Sequence, residues 1–149
     1  MHNKEMRTGI WERCNTIEEC YEFMLAYAAK GLPGEEGSKP GAQIREFLQR
    51  AVNAMAGLVE SSTLAVEEEA LEPAGKYHAF LAVLERDAQA SLAAIELVLA
   101  QPSISSQLVD NLNASIHLRA LLTDLFLLGE ILRSRLAAGT PAIDAVRNP

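Results

Sequence analysis

The chain is predicted to be all-α, an up-and-down four-helix bundle whose third and fourth helices form a long antiparallel hairpin. Three observations predict this. Apolar residues recur at steps of three and four over long stretches instead of alternating. Hydrophobic residues make up 49% of the chain but aromatic ones only 5%, with Ala and Leu dominant, which favours helix over sheet. Glycine and proline gather between the periodic stretches. A length of 149 residues suits one domain spanning 1–149, large enough to fold without a metal or disulfide staple.

In the first helix Met6, Ile10, Cys14, Ile17, Tyr21, Met24 and Ala28 share one face. It begins either near residue 4 or at Thr16, where "TIEE" resembles a capping box. Gly31 ends it. "GLPGEEGSKPG", residues 31–41, reads as a mobile loop. The second helix places Ile44, Phe47, Leu48, Ala51, Met55, Leu58 and Val59 on one face. "ESST" at 60–63 is a candidate break, and an acidic helix or continuation follows, closed by Pro73. The third helix carries a stripe from Tyr77, Phe80, Leu81 and Leu84 through Ala88, Leu92, Ile95 and Leu99. It stops before Pro102. Ser103 or Ser105 caps the fourth helix, which runs to about Ala138 with Gly139 as its stop. Residues 142–149 read as a loose tail.

The third helix is one-sided, with His78, Glu85, Gln89 and Glu96 on its polar face. The fourth is not. Leu118, Leu121, Leu122, Leu125, Leu132 and Leu136 fill a wide arc, Leu128 sits at its edge, and Leu127 and Ile131 fall outside it. A helix apolar in several directions must be covered in several directions. The most economical cover is the bundle on one side and a second copy of the chain on another, because most soluble oligomers are two-fold. The interface candidates are Leu118, Arg119, Leu121, Leu122, Leu125, Leu128, Glu130 and Leu132. Arg119 and Glu130 lie three turns apart on one stripe, so they cannot pair within one helix. Antiparallel copies of the helix would bring them together. The alternative cover is the chain itself, including the segment around Trp11.

The net charge is −7, yet residues 111–149 hold four basic side chains (Arg119, Arg133, Arg135, Arg147) against three acidic ones (Asp124, Glu130, Asp144). No basic stripe exists to displace counterions from phosphates, so nucleic acid is not an expected partner. "MHNKEMRTGIWERC" has no apolar core of a signal peptide, and no apolar run reaches eighteen residues without charges. The expectation is a soluble cytoplasmic protein without a membrane partner. Cys14 and Cys20 lie six apart, about 9 Å along a helix, too far for an intrahelical bridge. They read as packing residues.

A polar cluster of Asp87, His117 and Asp124 is the main candidate for chemistry. A hairpin turning near 102–103 would level Asp87 with His117, and a carboxylate there would orient the imidazole and raise its pKa. His117 and Asp124 are seven apart, about 10 Å, and cannot share one ion. "EECYE" carries Glu18 and Glu22 at i, i+4 and resembles the first half of the acidic signature of all-α nucleotide pyrophosphohydrolases. That resemblance implies magnesium held by Glu18 and Glu22. It covers five residues, and the second half, Glu-x-x-Asp on a later helix, is absent. The Glu-x-x-His of ferritin-like bundles is absent too. No phosphate loop, nucleophile elbow or Cys/His metal spacing appears. No cofactor is expected. The resulting reading is a helical-bundle protein that acts through homo-oligomeric assembly or protein interaction, with a metal-dependent helical enzyme as the alternative.

Overall fold

A computed structural model describes residues 2–139. It is all-helical, with no strand among the described residues. The helices are α1 (His2–Ala29), α2 (Lys39–Ala56), α3 (Leu58–Glu68), α4 (Ala74–Leu99), α5 (Ser106–Ala114) and α6 (Ile116–Gly139).

The first helix takes the longer of its two expected forms, and Thr16 lies in its interior. Gly31 follows its end with φ +67, the left-handed region that a Cβ disfavours. Ser38 caps α2 by accepting from the Gly41 N–H at 3.0 Å, and Pro40 sits in the first turn, where its missing N–H costs nothing.

The break expected at 60–63 falls instead at Gly57, which separates α2 from α3. Arg13 of α1 explains the position. Its Nη1 donates to the carbonyls of Asn53 and Ala54 at 3.1 and 3.2 Å, satisfying acceptors that the end of α2 leaves free. The guanidinium lies so close to Gly57 that a Cβ there would stand 2.5 Å from Arg13 Cζ.

The loop 31–41, expected to be mobile, is anchored. Arg45 holds Glu35 through two bonds of 2.7 Å and donates to the Leu99 and Gln101 carbonyls at 2.8 and 2.7 Å. The Ile104 N–H donates to Glu35 at 2.9 Å. Ser106 joins the same end of the fold. Its hydroxyl accepts from the Leu32 N–H at 2.8 Å and donates to the Tyr27 carbonyl at 2.6 Å. One ion pair and one hydroxyl thus tie the loop, α2, α4 and α5 together.

The fourth helix is not continuous. Ser105 caps α5, accepting from the Leu108 N–H at 3.0 Å, and the backbone leaves the helical region at Ser115 (ψ 128). The break lets the two pieces serve different neighbours. α5 packs on α1, where Asn113 donates to the Met24 carbonyl at 3.0 Å, and α6 packs chiefly on α4. The start of α4 lies beside the end of α6, so the two run antiparallel. The core draws on every helix, with Ile17, Ile44, Leu58, Leu84, Val109 and Leu121 among its fully enclosed side chains. The tail 142–149 lies outside the described residues.

Candidate functional site

The α4–α6 contact gathers the polar and apolar features that the rest of the core lacks. Asp87 comes from the border of the buried face of α4, and Asp124 from the edge of the buried arc of α6. Their carboxyl groups hydrogen-bond to each other. Asp124 is only 9% exposed. Burial first, and then the bond to Asp87 and its negative charge, push Asp124 up to about 7 from the ordinary value of 3.8. Two carboxylates offer no donor, so this contact holds a proton near neutral pH. The second oxygen of Asp124 is buried without a hydrogen-bond partner. So is the hydroxyl of Ser91, one turn along α4 from Asp87 and 1% exposed. Perturbed carboxyls of this kind are what functional sites and buried polar networks share.

Beyond this pair the two helices separate into an open groove of about 670 Å³. Pro73, Tyr77 and Phe80 form one wall, and Leu127, Leu128 and Ile131 the other. Lys76 and Arg135 stand at the end away from the carboxyls.

The expected cluster is therefore brought together in part. Asp87 and Asp124 meet, and His117 does not join them. It is exposed and makes no hydrogen bond or ion pair among the described residues. The reason is register. A tight hairpin would level Asp87 with His117, but α4 stops at Leu99 and the chain resets twice, at Ser105 and at Ser115. Asp124 reaches Asp87 instead, which leaves His117 two turns away, about 10 Å along α6. The expected Asp87–His117 pair is thus replaced by a carboxyl pair.

The interface candidates divide as sharply. Leu118, Leu121, Leu122, Leu125, Leu128 and Leu132 are buried in the chain's own core. Arg119 and Glu130 are exposed. Arg133 pairs with Glu130 at 3.3 Å, one turn on, while its guanidinium lies over the Trp11 ring at 5.2 Å. Trp11 also approaches Gly129, so α1 covers that flank of α6. What stays uncovered is Ile116, Phe126 (57% exposed), Leu127 (50%) and Ile131.

Glu18 and Glu22 lie on α1. Among the described residues no group of three His, Cys, Asp or Glu side chains could hold a metal ion. Cys14 and Cys20 are free and buried, as packing residues should be. Burial, with a smaller push from Glu18, raises Cys14 to about 11. No helix among the described residues is long and apolar enough to cross a membrane.

The groove escaped the sequence reading because Tyr77 and Phe80 continue the periodic stripe of α4 and looked like core. Its signal was on the other helix, in Leu127 and Ile131, which fall outside the main arc. No protein-family model matches the chain, and no curated protein or solved structure matches it either.

Proposed function

We propose that this protein acts through self-assembly, with the outer face of α6 as the contact between two copies. A single observation carries the reading. With six of its leucines buried in the core, α6 still exposes Ile116, Phe126, Leu127 and Ile131. Large apolar side chains clustered on one exposed helix face are a feature of interfaces. Between them lie Ala120 and Thr123, small enough for close helix approach. In this reading the architecture counts as four rods, with α2–α3 and α5–α6 each one broken rod and α4 antiparallel to the last. Two free thiols suit a cytoplasmic setting.

Charge supplies the register. Arg119 and Glu130 share the outer stripe with Thr123 and Phe126. If two α6 helices pack antiparallel about an axis level with residues 124 and 125, each Arg119 faces Glu130 of the other copy. Such rim pairs select orientation more than they add affinity.

Light scattering on the purified chain tests this. The expected mass is twice 16.2 kDa. Glu130→Arg should return the protein to monomer, and Arg119→Glu combined with it should restore the dimer. A wild-type monomer at 100 µM refutes the proposal, as does a Glu130→Arg variant that stays dimeric.

A further inference from the structure

We propose that the groove between α4 and α6 binds a free single-chain carboxylate of the fatty-acid class, its head group at Lys76 and Arg135 and its chain along the apolar walls. The volume of about 670 Å³ falls in the range of small-molecule sites. The walls are apolar over the length from Tyr77 to Phe80 on one helix and from Ile131 to Leu127 on the other.

Charge complementarity selects the ligand. The chain carries −7 overall, against which two cations at one end of a groove stand out. Lys76 and Arg135 nonetheless flank one groove, and neither is paired with a carboxylate among the described residues. Glu130, the acidic residue on the lining, has Arg133 at 3.3 Å to offset it. The antiparallel run of α4 and α6 places both cations at the same end. The Asp87–Asp124 pair stands at the other, one turn of α6 beyond Leu128. A carboxylate is repelled there and attracted at the mouth, so the ligand enters in one orientation. A neutral alcohol of equal length gains the walls but not the cations, and an alkylammonium meets charge of its own sign.

Lys76 and Arg135 lie off the Arg119–Glu130 stripe, but Leu127 and Ile131 belong both to this groove and to the face proposed for a second copy, so the two readings compete for those side chains and are tested separately. Calorimetric titration with hexanoate, octanoate and decanoate, each below its micelle concentration, tests the groove, with decanol as the neutral probe. Light scattering on the same samples reads the copy number separately. The expected result is one saturable site per chain that tightens by up to about fourfold per added methylene. Lys76→Glu with Arg135→Glu should weaken decanoate roughly tenfold or more and leave decanol within twofold. Both side chains are exposed, so the double variant should fold, and its decanol binding confirms that the walls are intact. Ile131→Gln should weaken both probes. Absence of saturable binding overturns the proposal, and so does decanoate affinity indifferent to the charge reversal. Binding that appears only after Arg119→Glu has separated the copies also overturns it, since the second copy would then be the occupant.

Discussion

Asp87 and Asp124 meet carboxyl to carboxyl across the α4–α6 contact, with Asp124 buried and held near pKa 7. An ordinary aspartate ionises near 3.9 in an unfolded chain. The folded pair therefore binds a proton that the unfolded chain releases. A group raised in this way favours the fold at low pH and withdraws that support as pH rises.

The window follows from the shift. Stability from this pair is fully present below about pH 4 and is lost progressively toward pH 7. Urea unfolding at pH 5.5 and pH 8 should show a loss on the order of 2 kcal/mol at the higher pH. Asp124→Asn supplies a permanent donor to Asp87 and should flatten that dependence. An equally steep profile in the variant would assign the loss elsewhere.

The opposite sign applies to Glu35. Its bonds from Arg45 lead, and with the Ile104 N–H they hold its carboxyl below the usual range. That support exists at neutral pH and disappears as pH falls through the carboxylate range. Arg45→Ala leaves Glu35 without its cation and frees the Leu99 and Gln101 carbonyls. We expect a cost of about 2 kcal/mol and faster proteolytic cleavage in 31–41, measured by urea unfolding and limited digestion. Wild-type cleavage rates in this variant would show that the loop is held by something else.

Cys14 should be nearly inert in the folded protein. With a pKa of about 11, only about one thousandth of it is thiolate at pH 8. Disulfide exchange with an aromatic disulfide reagent should proceed at the rate of global unfolding and speed up in denaturant. Rapid labelling of Cys14 in buffer would contradict its burial.

The helical character of the chain was legible because every long stretch repeats its apolar residues at helical spacing. Two boundaries set by single residues were legible too: Gly31 after the first helix, and Ser105 as one of two cap candidates. Two breaks were not. Gly57 is an ordinary glycine until Arg13, forty-four residues earlier in the chain, occupies the space its missing Cβ leaves. Ser115 sits in "NLNAS", whose short polar side chains compete for backbone bonds, and that was the available clue. Missing it displaced the register and put His117 where Asp124 belongs. Asp87 and Asp124 were both singled out, but their direct contact depends on how α5 turns the chain, which spacing along one helix does not encode. Five leucines of the arc, Leu118, Leu121, Leu122, Leu125 and Leu132, with Leu128 at its edge, are covered by the chain itself. Which side each faced depended on α4 packing against that arc.

The placement of α5 against α1 also sets an order of events during synthesis. The Met24 carbonyl waits for the Asn113 amide, 89 residues later, and the Tyr27 hydroxyl for the Ile104 carbonyl, 77 residues later. At ribosomal rates of about 5–20 residues per second, α1 emerges on the order of ten seconds before the helix that covers it. Through that interval Ile17, Met24 and Tyr27 lack a part of their shelter. The nascent chain is therefore most vulnerable to capture or cleavage just before its fifth helix leaves the tunnel.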